Sequence, residues 1–180
     1  MAAARSDLMA FLDRLGIETE TVEHPALFTV AQSQKLRGEI AGGHTKNLFL
    51  KDKKGALFLI VAEEDSAVDM KGLHRLIDSA RLSFGKPDLL LQVLGVPPGS
   101  VTPFAAINDR VGRVSVILDE GLMRHERLNF HPLENTATTS IAANDMIVFL
   151  RATGHEPKII ALAGPDAQGK QAPAQALQDG

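Results

Sequence analysis

The sequence predicts an α/β (mixed α+β) protein, a single compact domain with a central mixed, mostly antiparallel sheet flanked by helices. Three observations predict it. Apolar runs of strand length, ALFLIVA at 56–62 and VSVIL at 114–118, alternate with segments of helical periodicity. The polar KDKKG between two adjacent apolar runs has the turn chemistry of a hairpin, which places antiparallel pairing in the sheet. The 180 residues, 44% hydrophobic and 23% charged, have ordinary globular composition and suffice for one domain.

The elements follow in order. Leu8, Phe11, Leu12 and Leu15 recur at helical spacing, so a helix is expected over Ser6–Leu15, with Ser6 as cap and Gly16 as terminator. A short strand at Thr19–Glu23 precedes His24-Pro25, where proline holds its predecessor extended. A second helix is expected from Thr29 to Leu36 or Arg37. Asn47–Leu50 and Ala56–Ala62 form the hairpin. Met70–Ile77 reads as helix, Arg81–Phe84 as a short strand, and Pro87–Leu94 as a helix opened by its proline. Val114–Leu118 is a buried strand, Leu128–Phe130 and Thr136–Ile141 are two more, and a helix runs over Asn144–Arg151 from a start near Ala143. Lys158–Leu162 closes the sheet. The folded unit is therefore expected over residues 1–163. From 164 to 180 a Gln/Ala/Pro/Gly-rich flexible tail follows, with too little apolar surface to offset its ordering entropy.

Composition removes whole classes of chemistry. With no cysteine there are no disulfides, thiolate metal sites or cysteine nucleophiles, and a reducing cytoplasmic setting fits. No apolar run reaches the roughly 18–20 residues that span a bilayer, and Asp7 and Asp13 interrupt the start where a secretory signal needs an unbroken apolar core. A net charge of −3 requires any RNA partner to be met by a local patch. The six histidines show neither HExxH nor HxxxH spacing, so no metal is expected. GxGxxG, GxxxxGK[ST] and GxSxG are all absent, so no nucleotide cofactor or nucleophile elbow is expected either.

Three segments carry candidate chemistry. Gly42-Gly43-His44-Thr45-Lys46-Asn47 leads into LFLKDKK. Residues 35–54 hold six lysines and arginines against two acids, enough for a phosphate contact, although Lys51–Lys54 also reads as a solvated hairpin tip. Gly95–Phe104 contains three prolines and two glycines after Leu94. Such a rigid string can fix successive backbone N–H groups as an oxyanion site, although by composition alone a structural turn is the better reading. Asn129-Phe130-His131-Pro132 presents one histidine from an extended backbone; a lone histidine can also be a plain surface or core residue.

Taken together, HTKNLFLKDKKG, LGVPPGSVTPFAAIND and NFHP resemble, in this order and spacing, the YbaK/prolyl-tRNA synthetase insertion-domain family of editing deacylases. Within it they are most similar to the free-standing ProX branch of the ProXp-ala type. The resemblance runs from His24 to about Leu162. It implies trans-editing hydrolysis of the ester joining alanine to a proline-specific tRNA, without cofactor, on a cytoplasmic enzyme in transient contact with prolyl-tRNA synthetase and with no membrane. Lys46, Asn47, Gly99, Ser100 and His131 match the family's catalytic positions. Val101, Thr102, Pro103 and Phe104 match its substrate loop, and Arg81 is a further tRNA contact. The loop backbone is implied to bind the aminoacyl carbonyl, the lysine the terminal nucleotides, and the histidine the substrate or water. Such chemistry fits the residues: an activated ester needs oxyanion stabilisation, with the neighbouring ribose hydroxyl to help place water, more than it needs a protein nucleophile. The alternatives are a cysteinyl-tRNA deacylase of the YbaK branch, a non-catalytic tRNA- or partner-binding module of this fold, and a small-molecule hydrolase indifferent to RNA.

Overall fold

In the computed structural model, which describes residues 2–26, 35 and 40–163, the amphipathic start of the chain forms helix α1 (Arg5–Arg14). Leu8 and Leu12 are buried on its inner face, and Phe11 and Leu15 pack beside them. Gly16 ends the helix in the left-handed region at φ 72°. Its N–H donates to the Asp13 carbonyl, and Ile17 N–H donates to that of Leu12, both at 3.0 Å. The start differs from expectation, because Ser6 lies inside the first turn. Asn108 Oδ1 accepts from Ala3 N–H at 2.8 Å and Asp7 Oδ2 from Ala4 N–H at 2.8 Å, which turns the chain into the helix before Ser6 is reached.

Strand β1 (Thr19–Glu23) follows. Apart from Lys35, the helix expected from Thr29 falls outside the described residues, as does the tail from Gly164. Strands β2 (Gly43–Asp52) and β3 (Leu57–Glu63) form the predicted hairpin. Asp52 holds its turn, accepting from the N–H groups of Lys54 at 2.9 Å and Ala56 at 2.8 Å. The helix expected over 70–77 shrinks to one turn, α2 (Leu73–Leu76). Asp69 captures the Lys71 N–H ahead of it, and Asp78 at φ 56° stops it behind. Then come β4 (Leu82–Phe84) and α3 (Pro87–Leu94), the latter with its predicted bounds and with Gly95 capping it at φ 69°. The proline-rich string folds into two short 3-10 turns, Pro98–Ser100 and Pro103–Asn108. The remainder is β5 (Val114–Asp119), a 3-10 turn at Glu120–Arg124, β6 (Arg127–Phe130), β7 (Ala137–Ala142), α4 (Ala143–Ala152) and β8 (Lys158–Ile160).

The strands make one sheet in the order β1-β7-β6-β2-β3-β5-β8, with β4 also on β2. Antiparallel pairs join β1–β7, β7–β6, β2–β3 and β2–β4, while β2–β6, β3–β5 and β5–β8 are parallel. Alternation sorts the two faces. Leu57, Leu59, Val61, Val116 and Leu118 meet α1, α3 and α4 in the larger core. Phe58, Ile60, Ala62 and Ile117 meet Leu73, Ile77 and Leu162 in a smaller one on the other face. Burying an anchor such as Phe149 or Leu59, each fully covered, contributes about 1.5–3 kcal/mol. The β2 edge opposite β3 has a consequence for the site. β6 pairs with it only at Gly43 and His44, and β4 only at Leu50–Asp52. Residues 45–48 therefore have no strand on that edge among the described residues.

Candidate active site

The paired glycines bring β2 against β6. Gly42 sits at φ 106°, and a Cβ there would stand 3.1 Å from both the Arg127 carbonyl oxygen and Asn129 Nδ2, so only glycine permits the approach. Parallel pairing then sets His44 opposite Asn129, and Thr45 Oγ1 donates to the Asn129 carbonyl at 2.9 Å. Lys46 and His131 each lie two residues beyond that last pair, so both stand at the mouth where the strands part. β2 reaches back to Gly43, four residues before the apolar run that marked it in the sequence, because β6 supplies a partner for its polar beginning.

Lys46 and Asn47, adjacent in sequence, project to opposite faces. Lys46 shares the face of Leu48 and Leu50, and its Nζ donates to the Ser66 carbonyl. Asn47 shares the face of Phe49, on which Val96, Val101 and Phe104 also pack. Its Nδ2 donates weakly to Thr45 Oγ1 at 3.4 Å, and its buried Oδ1 has no partner among the described residues.

The proline-rich loop reaches the same region. A Cβ on Gly99 would lie 3.5 Å from Asn135 Nδ2, in the turn that follows His131. Phe104 locks the loop down, with its ring edge-on to Phe130 at 5.8 Å and to Phe149 at 5.5 Å. Phe104 is fully buried and so is a core anchor rather than an exposed wall. Thr102 is equally buried, and its Oγ1 accepts from Phe104 N–H at 3.3 Å, capping the second 3-10 turn. Ser100 is buried, and its N–H is spent on the Pro97 carbonyl at 2.9 Å. The N–H groups of Gly99, which is exposed, and Val101, which is half-buried, have no acceptor among the described residues and are candidate donors to a ligand, whereas Thr102 N–H lies on a fully buried residue and Pro103 has none to offer.

His131 Nδ1 donates to the Ala137 carbonyl at 3.0 Å, which leaves Nε2 as the acceptor. Burial pushes its pKa below the ordinary imidazole value. The Ala137 hydrogen bond offsets only part of that, and His24, ring to ring at 6.3 Å, lowers it further. The ring is therefore neutral at pH 7. His24 is itself fixed, Nε2 on Thr138 Oγ1 and Nδ1 on the Pro25 carbonyl, each at 2.8 Å.

Arg81 is not brought to this end. Its carbonyl accepts from Lys53 N–H at 3.0 Å beside the hairpin turn, about 20 Å along β2 from Lys46 at ~3.3 Å per residue. Sequence reasoning passed over Asn129. Its Nδ2 donates to the Ala41 carbonyl at 3.1 Å, and its Oδ1 is buried without a partner among the described residues. Its only sequence signal is its place in NFHP. Among the described residues, no three His, Asp or Glu side chains group to hold a metal ion, and no helix is long and apolar enough to cross a membrane.

Free backbone N–H groups, a neutral imidazole and a lysine are groups that can polarise an activated ester without a protein nucleophile. The chain belongs to the aminoacyl-tRNA editing domain family, whose model matches residues 24–149. It is 39% identical over 158 residues, 87% of this chain and 86% of the relative, to prolyl-tRNA synthetase associated domain-containing protein 1 of Danio rerio. It is 34% identical over 160 residues, 88% of this chain and 98% of the relative, to the prolyl-tRNA editing protein ProX of Acetoanaerobium sticklandii. The fold matches a crystal structure provisionally assigned as a trans-editing enzyme for prolyl tRNA synthetase. The TM-score is 0.65 and the identity 18%, over 89% of this chain and 98% of that one.

Proposed function

We propose that this editing enzyme hydrolyses, in trans, the ester that joins alanine to proline-specific tRNA. The carrying observation is that Lys46 and neutral His131 each stand two residues beyond the last β2–β6 pair, with Gly99 set against Asn135 in the turn after His131. In this reading the ester carbonyl faces the free N–H groups of Gly99 and Val101, which receive the negative charge as water adds to the carbonyl carbon. His131 Nε2 accepts a hydrogen bond from that water or from the substrate. The neighbouring ribose hydroxyl helps place the water, and the departing ribose oxygen takes up a proton, which releases free alanine and intact tRNA. Lys46 Nζ exchanges the Ser66 carbonyl for a phosphate of the terminal nucleotides. Family membership and the relative named for prolyl-tRNA editing support the tRNA, and the relative named as prolyl-tRNA synthetase associated supports the link to a synthetase. The editing unit is read as residues 1–163.

Alanine is the chosen acid on physical grounds. A proline site cannot strongly reject a smaller residue through missing contacts alone, so a second site that excludes proline by size does that work. The test is single-turnover deacylation of proline-specific tRNA charged with alanine, cysteine or proline. Fast loss of alanine alone is expected. Preferential loss of cysteine would replace the alanine assignment, and no cleavage of any ester despite tRNA binding would overturn the catalytic one.

A further inference from the structure

The turn between His131 and β7 carries a side chain that neither the fold nor the site has yet claimed. Elsewhere in this chain, short polar residues in turns are spent on the backbone of their own turn. Asp52 accepts from the N–H groups of Lys54 and Ala56, Asp69 from that of Lys71, and Asp109 from those of Arg113 and Val114. Asn135 does none of this. It is half-buried, and its amide forms no hydrogen bond with a described residue.

The turn around it is nevertheless fixed. His131 Nδ1 donates to the Ala137 carbonyl at 3.0 Å and so closes the turn on itself. Glu134 Oε1 accepts from Arg5 Nη1 at 2.9 Å and from Thr136 Oγ1 at 3.3 Å, and the Thr136 carbonyl accepts from His24 N–H at 3.0 Å. Leu133 is held in the left-handed region at φ 72°, where a bulky residue persists only if its surroundings determine it.

This support presents Asn135 to the proline-rich loop. Its Nδ2 stands 3.5 Å from the position a Cβ on Gly99 would take. Glycine keeps that side of the loop open, so the Gly99 N–H and the two unspent N–H groups of Nδ2 border one space. The carboxylate next in sequence, Glu134, is held by Arg5. Donors from two separate segments, facing each other without an acceptor, suit an oxygen atom that carries negative charge.

We infer that Asn135 is a further catalytic residue, its Nδ2 donating to the ester carbonyl oxygen as water adds and that oxygen gains charge. The inference rests on the proposed deacylation and adds a side-chain donor to the Gly99 and Val101 N–H groups. An uncharged amide gains most when the oxygen becomes an anion, so its effect falls on the rate more than on binding.

The test is single-turnover hydrolysis of proline-specific tRNA charged with alanine, with the full chain raised to saturation, for wild type, Asn135→Ala and Asn135→Asp. In Asn135→Ala the saturated rate should fall about a hundredfold, while the protein concentration giving half that rate stays within about twofold. The melting temperature should stay within about 4 °C, since no hydrogen bond is lost. Asn135→Asp keeps the shape but replaces a donor with an acceptor at neutral pH, so its rate should fall at least as far. A wild-type rate in Asn135→Ala would overturn the assignment. So would an active Asn135→Asp, which would mark the side chain as packing or as an acceptor for the substrate ammonium. A loss confined to the half-saturating concentration would overturn it too, as a contact of binding alone. Wild-type protein that cleaves no alanyl ester would instead refute the deacylation reading, before any variant is compared.

Discussion

Replacing Gly99 with alanine separates the loop's chemistry from its folding. The backbone there is not in the left-handed region, and an added Cβ meets only Asn135 Nδ2 at 3.5 Å, an ordinary contact. Removing a glycine's unfolded-state freedom at a compatible position stabilises by about 0.4–1 kcal/mol. The melting temperature should therefore hold or rise by up to roughly 4 °C for a domain of this size. The methyl group nevertheless stands on the exposed side of the loop, beside the free Gly99 N–H. If the ester oxygen must come within ~3 Å of that donor, displacing it removes one oxyanion contact, a loss of about a hundredfold in single-turnover deacylation. Thermal melting and single-turnover hydrolysis of alanyl-tRNA read the two effects separately. Full activity in the stable variant would show that the ester does not lie against Gly99. A fall in melting temperature of more than about 5 °C would show that the fold itself requires the glycine.

Other perturbations follow from the same geometry. Lys46→Ala should cut deacylation at least a hundredfold and leave the melting temperature within about 4 °C, since Nζ meets only a loop carbonyl; an unchanged rate would remove Lys46 from the site. His131→Asn keeps a donor for the Ala137 carbonyl but loses Nε2, so folding should persist while the rate drops about a hundredfold. Because burial depresses the His131 pKa, the wild-type rate should rise with pH through a midpoint below 6.5 and stay level above it. A midpoint above that value contradicts a neutral, buried ring. Asp109 is buried, with Oδ2 accepting from Val114 N–H and His155 Nε2 at 2.8 Å each. Asp109→Asn should cost about 3 kcal/mol, seen in denaturant unfolding. Burial raises the Asp109 pKa, but the His155 bond and the Val114 and Arg113 N–H groups outweigh it, for a net depression. Its stabilisation is therefore present above the ordinary carboxylate range and lost as pH falls through the depressed value, and the variant should lack that part of the acid transition.

Local chemistry explains which features could be read from the sequence. Pro87 and Gly95 bracket a helix with the predicted bounds because both its start and its stop are encoded by residues with fixed backbone preferences. The hairpin is legible for the same reason. Ser6 failed as a cap because Ala3 is held by Asn108, 105 positions beyond it. Likewise the reach of β2 back to Gly43 depends on β6, and the Asp109–His155 pair joins residues 46 apart. In the site, the motif strings named Lys46, Asn47, Gly99 and His131, but strand alternation divides the first two between faces. Phe104 and Thr102 are fully buried and hold the loop in place through the Phe130 and Phe149 rings and the Phe104 N–H. Asn129 carried no periodic or compositional mark.

One strand, β2, fixes both Lys46 and the hairpin lysines, with an unbroken register against β3 from Thr45 to Lys51. It therefore works as a ruler, its residue count setting the span between Lys46 and the hairpin turn. Adding two residues to β2 and two to β3 would preserve which side chains face which side. It would also move the turn about 7 Å farther from Lys46.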